Sequence, residues 1–382
     1  MQLLINTIPL LGQQTGVGNY TRQIAQASLE PEDIETTFFY GWYSKKLPGT
    51  PEKMSKSWLG GIKRLAAEQS FIRRICKKGL TLANRAYHFA SKKTYDCYFE
   101  PNFVILPTVR ARCSIITVHD FSCFLYPQWH PVERVRYMKK NLRASLEKAD
   151  HVITVSETIR QEAINLFEVA PDRITTIHNG VDHSFYRPCS PEILQSLRTR
   201  YDLPKHFILF VGTLEPRKNV SNLLLAHAAL PDAVKKRYPL VLLGSNGWNN
   251  TDILALIRLQ AEHVRLLGYV PEKDLPAFYS AASLFVYPSW YEGFGLPVLE
   301  AMACGCPVLT SDHASLQEIC AGAARHTPPG DISSMRANLL ELLEDTGLSE
   351  TLQHKGLQRA AQFSWAESAR RHIELFREVC TS

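Results

Sequence analysis

The stretch Tyr291-Glu-Gly-Phe-Gly-Leu-Pro-Val-Leu-Glu-Ala-Met-Ala-Cys-Gly-Cys306 carries two carboxylates, Glu292 and Glu300, eight positions apart on either side of a glycine-rich turn. Gly293 and Gly295 have no Cβ, so the backbone of this turn can approach a ligand closely. Two acidic side chains beside such a turn indicate a binding site.

The second half of this stretch is typical of a short helix. Pro297 suits the first helical position, because its ring fixes φ and it has no amide to leave unpaired, and Gly305 is a good stop. Glu300 then lies about one turn inside the helix, while Glu292 stays on the loop before it. The free amides at a helix start attract anions such as phosphate. We therefore predict that the two carboxylates bind different ends of one ligand that carries hydroxyls and a phosphate.

The composition is that of an ordinary globular protein. The chain has 382 residues, of which 45% are hydrophobic and 21% charged. This length exceeds what one core usually supports, so two domains are expected. No run of about 18 apolar residues predicts a membrane-spanning helix. The first residues lack a positively charged region and a cleavage site, and they are more typical of a buried strand than of a leader.

Cysteine usage and net charge limit the location and the partners. Nine cysteines are scattered without a C-x-x-C pair, which favours reduced, mostly buried thiols in a cytoplasmic protein and argues against a structural zinc site. The net charge of +6 is mild for a nucleic-acid-binding protein, and no nucleic-acid-binding module is present. We expect no nucleic-acid partner.

Short apolar runs alternate with helical patterns along the chain, which predicts parallel α/β layers. A turn-rich connector at residues 179–188 and a helix at Glu192–Tyr201 place the start of a second domain near residue 190. Ligands of such sheets bind outside the carboxyl ends of the strands. The predicted strands are Gln2–Thr7, Thr36–Tyr40, Cys97–Phe99, Ser114–Val118, His151–Val155, His206–Val211, Pro239–Leu243, Val264–Leu267, Leu284–Tyr287 and Pro307–Thr310.

One segment, residues 45–93, departs from this alternation. It holds thirteen Lys or Arg against two acids, with large apolar residues interleaved. Such a basic amphipathic stretch suits the surface of an anionic membrane, and it equally suits a solvated helix pair whose apolar stripe packs on the first sheet. Both alternatives stay open, and the first implies a peripheral association with the cytoplasmic face of the inner membrane.

Two groups of residues follow strands of the first half. Gly12-Gln-Gln-Thr-Gly16-Val-Gly18 precedes a helix at Tyr20–Ser28, where flexible glycines let amides point into a cleft; a plain strand-to-helix turn would look similar. His119 and Asp120 end an apolar strand. His119 could hydrogen-bond a substrate hydroxyl, and Asp120 could orient it or cap the next segment. The alternative for His119 is a histidine satisfied by a buried carbonyl.

The second half adds two cations and further turns. Arg217 and Lys218 follow Gly212 at the expected start of a helix, where cations are unfavourable unless an anion such as a diphosphate neutralises them. A solvated pair of basic side chains is the alternative. Strands also end in the turns at Gly244 and at residues 267–271, where backbone atoms could contact a base and ribose.

Taken together, these motifs resemble the family 4 glycosyltransferases, which are retaining enzymes of the GT-B fold that use nucleotide-sugar donors. The resemblance rests on Glu292-Gly-Phe-Gly-Leu-Pro-Val-Leu-Glu300, on Val-Gly-Thr-Leu-Glu-Pro-Arg-Lys-Asn (211–219), on Leu-Gly-Tyr-Val-Pro (267–271) and on Ile-His-Asn-Gly-Val-Asp (177–182). It implies an α/β protein with two Rossmann-like domains facing across a cleft. The implied parts are an acceptor-binding domain at 1–188, a donor-binding domain at 189–364 and a helix at 365–382 that returns to the first domain.

The resemblance also implies roles for particular residues. Glu292 would hold the hydroxyls of the donor sugar, Glu300 the ribose, and Arg217 and Lys218 the leaving diphosphate, with His119 beside the sugar. No Asp-x-Asp metal site is found, and neither a metal nor another cofactor is expected. The other residues implied in donor binding are Gly16, Gly18, Gly212, Gly244, Tyr269, Val270, Phe294, Gly295 and Leu296.

The resemblance to lipopolysaccharide O-chain enzymes favours a mannosyltransferase. It would move mannose from GDP-mannose to a lipid-linked or oligosaccharide acceptor during the assembly of a surface polysaccharide. One alternative is a transferase of the same family that uses UDP-glucose, UDP-galactose or UDP-N-acetylglucosamine. The other is a non-catalytic subunit that binds a nucleotide sugar.

Overall fold

The structure is a computed structural model that describes residues 1–11, 16–48, 94–107 and 109–381. Most of the basic segment at 45–93 lies outside these residues. Its first residue, Lys45, pairs with Glu35 at 2.7 Å on the protein surface. The proposed membrane contact of this segment therefore stays a prediction.

The first half of the chain forms a seven-stranded sheet in the order β3-β2-β1-β4-β5-β6-β7. Neighbouring strands are parallel, except that β3 runs antiparallel to β2 at the edge. The strands are β1 (Gln2–Asn6), β2 (Glu35–Phe39), β3 (Tyr43–Ser44), β4 (Tyr95–Glu100), β5 (Ala111–Val118), β6 (His151–Thr154) and β7 (Ile174–Thr176).

The second half forms a six-stranded, fully parallel sheet in the order β10-β9-β8-β11-β12-β13. Its centre is almost wholly apolar and buried, as parallel sheets covered on both faces require. The strands are β8 (Ile208–Val211), β9 (Leu240–Leu243), β10 (Val264–Gly268), β11 (Leu284–Tyr287), β12 (Val308–Ser311) and β13 (Arg325–Thr327).

Helices connect the parallel strands in both halves, as such connections require. In the first half the described helices are Gly16–Ala27, Ser122–Leu125, Val132–Lys148 and Glu157–Phe167. The second half contributes Pro191–Tyr201, Val220–Ala228, Asp232–Arg237, Thr251–Leu259, Leu275–Ala281, Leu296–Ala303, Ala314–Cys320, Ile332–Glu344 and Thr346–Ala360. No helix among the described residues is both apolar enough and long enough to cross a lipid bilayer.

The last helix, Trp365–Thr381, packs on the first sheet rather than the second. Its buried residues Ile373 and Phe376 share a core with Leu3 and Tyr20. The Tyr20 hydroxyl also lies 2.6 Å from a ring nitrogen of His372. The predicted return of this helix to the first domain is confirmed, whereas the domain boundaries at 188 and 364 stay predictions.

The chain passes between the two halves twice, near residues 180 and 364, and the two connecting segments contact each other. Val181 forms a parallel bridge with Ser364, and its amide donates to the Phe363 carbonyl at 3.3 Å. A Cβ on Gly180 would lie only 2.1 Å from the amide nitrogen of Trp365. Glycine is required at this position because the two backbones touch.

All ten predicted strands are present, with ends shifted by at most three residues. The prediction missed β3, β7 and β13, which are two or three residues long and give too short a pattern to recognise. The predicted helix at Tyr20–Ser28 starts earlier, at Gly16, and the helix expected to begin at Pro297 begins at Leu296. The second shift, of one residue, is usual for a helix end, whereas the first helix starts four residues before the prediction.

Candidate functional site

A cleft of about 890 Å³ lies at the carboxyl ends of strands from both sheets. Its walls come from loops of the first half, such as those at Gly16 and His119, and from the loops after β8, β10 and β11. The predicted site residues that line this cleft are Gly16, His119, Gly212, Arg217, Lys218, Tyr269, Val270, Glu292, Phe294, Gly295, Leu296 and Glu300.

Glu292 lies between two cations in this cleft. One carboxylate oxygen accepts from Lys218 Nζ at 2.6 Å, and the other accepts from Arg217 Nη1 at 2.9 Å. The Glu292 backbone is held as well, because its carbonyl accepts from Ser315 Oγ at 2.6 Å. Burial alone would raise the pKa of Glu292, but the charges of Arg217 and Lys218 outweigh it and lower this pKa to about 2. Glu292 is therefore ionised throughout the ordinary pH range.

The two cations are neutralised within the protein. Arg217 and Lys218 lie on a single 3₁₀ turn, Pro216–Lys218, and the following helix starts only at Val220. Glu215, which no sequence pattern indicated, accepts from Arg217 Nη2 at 2.9 Å. Glu215 and Glu292 already balance the charge of the two cations, so an external anion is not required for that purpose, and the binding of a diphosphate by Arg217 and Lys218 stays a prediction.

Lys218 keeps hydrogen-bonding capacity toward the cleft. An ammonium group has three N–H donors, and Lys218 uses one on Glu292 and one on the Tyr287 hydroxyl at 2.5 Å. Burial lowers the pKa of Lys218, and the charge of Arg217 lowers it further. Tyr287 ends β11, but nothing in the sequence marked its hydroxyl as a partner of Lys218.

Glu300 occupies a different environment from Glu292. It lies in the helix Leu296–Ala303, and its carboxylate accepts from the Tyr279 hydroxyl at 2.9 Å. Burial raises the pKa of Glu300 to about 7, and the negative charge of Glu272 adds to this effect. The two glutamates of the motif therefore differ: Glu292 is a fixed anion, whereas Glu300 can gain or lose a proton near neutral pH.

The amides of Phe294 and Gly295, at the start of the same helix, belong to residues that line the cleft. Gly295 caps the helix with a left-handed φ of +104°, and a Cβ there would lie 2.5 Å from Leu316 Cδ2. Within the described part of the chain, no group accepts a hydrogen bond from the Phe294 or Gly295 amide. Such free amides at a helix N-terminus suit a phosphate.

His119 and Gly293 bring the two halves together at the centre of the cleft. A Cβ on Gly293 would lie 1.7 Å from the His119 carbonyl oxygen. The Gly293 carbonyl in turn accepts from Ser156 Oγ, across the two halves, at 2.7 Å. His119 Nε2 lies 2.8 Å from the Pro101 carbonyl, which can only accept, so this nitrogen carries the proton and Nδ1 is left as an acceptor. Burial lowers the pKa of His119 and keeps the ring neutral.

The other residues predicted to bind the donor do not all line the cleft. Tyr269 is 60% exposed on the cleft wall, and Val270 beside it is buried. Gly18 and Gly244 lie off the cleft surface. Gly18 is buried in the helix Gly16–Ala27, and Gly244 packs so closely on Gly212 that a Cβ would lie 1.9 Å from its carbonyl oxygen. Gly244 therefore serves close packing in the structure, and a direct contact of either glycine with a ligand stays a prediction.

Two family models match the chain. The model described as Glycosyltransferase Family 4 matches residues 14–185, and the model described as Glycosyl transferases group 1 matches residues 197–359. The O-antigen chain mannosyltransferase B of Escherichia coli is 37% identical over 386 residues, which cover 99% of this chain and 100% of that relative.

The chain belongs to the family 4 glycosyltransferases.

Further comparisons agree with this assignment. The Escherichia coli serotype-specific mannosyltransferase WbdA is 36% identical to this glycosyltransferase over 277 residues, which are 70% of this chain and 34% of the relative. The structure of WaaG, a glycosyltransferase involved in lipopolysaccharide biosynthesis, superposes with a TM-score of 0.70 at 15% identity, over 98% of this chain and 99% of the other. Anabaena HepE in complex with UDP-glucose gives 0.69 at 19% identity, over 99% and 100%. These two structures confirm the predicted GT-B fold.

Proposed function

We propose that this glycosyltransferase is a retaining mannosyltransferase that moves mannose from GDP-mannose to a lipid-linked or oligosaccharide acceptor. Its product would be part of a surface polysaccharide such as the O-antigen of lipopolysaccharide. The choice of sugar is supported by similarity over the whole length to a relative named O-antigen chain mannosyltransferase B.

The observation that carries the proposal is the placement of Glu292, Lys218 and Glu300 in one cleft. Glu292, a permanent anion, lies beside the buried ammonium of Lys218, and this pair suits a sugar next to a phosphate. The carboxylate of Glu300, one helical turn further on, suits the ribose. An extended donor with a sugar, a diphosphate and a nucleoside matches this series of groups.

Charge on the leaving group would be stabilised by fixed donors. Lys218 has an N–H left over, and the free amides of Phe294 and Gly295 lie at the helix start on the same cleft. Preorganised donors aimed at developing charge usually contribute more to such catalysis than any other effect. The proposal needs no metal ion, because Lys218 and these two amides supply hydrogen-bond donors for the leaving phosphate.

His119 would act as an acceptor of a hydrogen bond rather than as an acid. Its ring is neutral, and its Nε2 proton is already donated to the Pro101 carbonyl. A hydroxyl of the donor sugar can donate to Nδ1, which would fix the orientation of the sugar ring over Glu292.

We expect retention to proceed by same-face substitution. The bond between the anomeric carbon and the phosphate oxygen breaks, a bond to the acceptor oxygen forms on the same face, and the acceptor proton passes to the leaving phosphate. Glu292 is unsuited to the role of nucleophile in this proposal, because both of its oxygens are occupied by Arg217 and Lys218.

Nucleotide release from a panel of donors tests the proposal. The purified protein is incubated with GDP-mannose, UDP-glucose, UDP-galactose or UDP-N-acetylglucosamine, and free GDP or UDP is measured, with Glu292→Gln as the inactive control. We expect turnover of GDP-mannose, and stabilisation against heat by GDP but not UDP. Turnover of a UDP-sugar alone would overturn the mannose assignment, and no turnover of any donor by a folded protein would favour a non-catalytic subunit.

We also propose that residues 45–93 bind an anionic membrane surface, on the strength of their thirteen basic residues. Sedimentation with vesicles of anionic phospholipid tests this directly. Binding should weaken as salt rises, and a variant with Arg73, Arg74, Lys77 and Lys78 changed to Glu should remain in the supernatant. Equal sedimentation of both proteins would contradict the proposal.

A further inference from the structure

A second group of residues lines the cleft but has no role in the donor site described above. It consists of Asp120, His130, Arg134 and Trp248, and we call it the cleft corner. The charges of Arg217 and of Asp120 both act on His130, so the corner adjoins the cations of the reacting centre. Glu300, in the helix Leu296–Ala303, is not part of the cleft corner, and its carboxylate contacts Tyr279.

Trp248, which belongs to the second half of the chain, forms one wall of the cleft corner. Its indole N–H donates to the Trp129 carbonyl in the first half at 2.5 Å. The Arg134 guanidinium carbon lies 5.9 Å from the centroid of the indole ring, and the His130 ring lies 6.1 Å from it. The ring itself is half-buried and borders the cleft. It therefore provides an apolar face next to polar groups.

His130 is a buried polar side chain without partners. It is 5% exposed, and neither ring nitrogen has a hydrogen-bond partner among the described residues. A buried polar group left unpaired costs about 1–3 kcal/mol, so such groups call for an explanation. Burial, together with the charge of Arg134, lowers the pKa of His130 to about 4, which leaves a neutral ring with one donor and one acceptor.

Asp120 supplies a further acceptor. Its Oδ1 accepts from the amide and hydroxyl of Ser122, so Asp120 caps the next segment, which was one of its two expected roles. Within the described part of the chain, Oδ2 accepts no hydrogen bond. The charge of Arg217 lowers the pKa of Asp120 although burial opposes it, so the carboxylate is ionised.

We propose that Trp248, His130 and Asp120 form the subsite for the terminal sugar of the acceptor glycan. A pyranose has an apolar face of C–H groups and an edge of hydroxyls, and pockets for such ligands combine an aromatic wall with a few convergent polar groups. The indole would contact the C–H face, and Asp120 would accept from the hydroxyls. The ring nitrogens of His130 are buried in the unliganded protein, so the ring would turn toward the cleft to bond a further hydroxyl. The inference rests on the proposed transferase function and adds where the acceptor binds.

Two variants of Trp248 separate its ring from its hydrogen bond. Trp248→Ala removes both, whereas Trp248→Phe keeps an aromatic face and loses only the bond to the Trp129 carbonyl. With GDP-mannose as donor and an octyl glycoside of a mannose disaccharide as acceptor, Trp248→Ala should raise the acceptor KM by about tenfold or more. Trp248→Phe should stay near the wild type. Trp42→Ala, which removes a 46% exposed tryptophan elsewhere, serves as the control.

His130→Leu gives an independent test. Removing two unpaired buried nitrogens should leave Tm unchanged or higher, while the acceptor KM rises as for Trp248→Ala. Stabilisation of each variant by GDP should match that of the wild type, because the donor site is intact. A histidine that only supports the fold would instead lower Tm and leave the acceptor KM unchanged.

The outcomes distinguish this proposal from the proposed function. An unchanged acceptor KM in Trp248→Ala and His130→Leu would overturn the subsite, even if GDP-mannose is turned over. Equal effects of Trp248→Ala and Trp248→Phe would overturn it too, since the contact between the halves would then be the cause. Failure of the wild type to turn over GDP-mannose would refute the donor assignment instead.

A separate cluster lies far from the cleft in the first sheet. Cys97 on β4, Cys113 on β5 and Cys380 in the helix Trp365–Thr381 place their three sulfur atoms within 4.8 Å of one another. A metal ion about 2.3 Å from each of three thiolates needs sulfurs about 4 Å apart. Small side-chain rotations would therefore bring all three into contact with one ion.

We infer that this cluster binds a soft divalent ion such as Zn²⁺. Thiolates are the ligands that such ions prefer, and each thiol that binds the ion releases its proton. A water molecule would complete a tetrahedral site on the half-buried side near Cys380. The ion would join the last helix to the first sheet and stabilise their contact.

Native mass spectrometry of the reduced, full chain with added Zn²⁺ tests the inference. We expect one ion per chain and a rise of Tm with Zn²⁺ concentration. Both effects should be lost in Cys380→Ser and kept in Cys189→Ser, a half-buried cysteine outside the cluster. Absence of bound Zn²⁺ in the wild type, equal binding by both variants, or a disulfide between Cys97 and Cys113 in its place would overturn the site.

Discussion

The carbonyl oxygen of His119 occupies the space that a Cβ on Gly293 would need, because the two would lie 1.7 Å apart. His119 follows β5 of the first sheet, and Gly293 follows β11 of the second. The glycine of the motif thus lets the two halves meet at the centre of the cleft, in addition to any contact with a ligand.

Gly293→Ala should therefore impair catalysis by separating the halves. A displacement of about 1 Å in such a site can reduce the rate about 10²-fold, and we expect a loss of this size in kcat/KM for GDP-mannose. The control is Gly347→Ala, whose new Cβ would make only an ordinary contact at 3.4 Å. A Gly293→Ala enzyme with wild-type kinetics would contradict the close contact.

Glu292→Gln should lower both stability and activity. Arg217 and Lys218 would lose the carboxylate that both of them contact, although Glu215 and the charge of Asp120 would remain near Arg217. Breaking a buried ion pair costs about 3–5 kcal/mol. We also expect kcat to fall roughly 10²–10³-fold. Because the pKa of Glu292 is lowered from 4.5 to about 2, its contribution to stability should be complete above pH 4.5 in the wild type and should be lost progressively as the pH falls toward 2. Chemical unfolding and steady-state kinetics measure the two effects, and an unchanged free energy of unfolding would contradict the ion-pair geometry.

Glu300 should make donor binding depend on pH. Its pKa is raised to about 7, so its favourable contribution to the unliganded fold is complete at low pH and is lost as the pH rises through 7. The ionised carboxylate accepts from the ribose hydroxyls more strongly than the neutral acid does. The rise of Tm caused by GDP should therefore increase between about pH 6 and 8. Glu300→Gln should bind GDP more weakly and show no such increase; the same pH profile in both proteins would refute the assignment.

Gly180→Ala should loosen the last helix. Its Cβ would lie 2.1 Å from the Trp365 amide nitrogen, so the backbone at the start of Trp365–Thr381 would have to move. We expect a lower Tm and faster proteolytic removal of the C-terminal residues than in the wild type. Equal rates of cleavage in the two proteins would show that the crossing tolerates a side chain.

Several residues of the site were predictable because the relevant signal is local. Glu292 and Glu300 flank a turn and a helix start that short sequence patterns describe well, and Leu296–Ala303 begins within one residue of the prediction. The alternation of apolar runs and helical patterns similarly predicted the strands at the centres of both sheets, which are long enough to show their period.

Other residues could not be predicted, because their partners are distant in the sequence. Trp248 and Trp129 are 119 positions apart, and Tyr287 and Lys218 are 69 apart. No spacing rule connects such pairs. Spacing also argued against a cysteine cluster, whereas the fold places Cys97, Cys113 and Cys380 together.

The sequence by itself determined the α/β fold and the two glutamates that flank the glycine-rich turn, since these follow from local periodicity and a short motif, whereas the return of the last helix was implied by the resemblance to a known family. Only the tertiary structure decided what charge each group carries. Glu292 and Glu300 have the same side chain in one motif, yet two buried cations hold the first ionised, while burial near Tyr279 and Glu272 brings the pKa of the second to about 7. A pKa depends on burial and on neighbouring charges, and the fold supplies both.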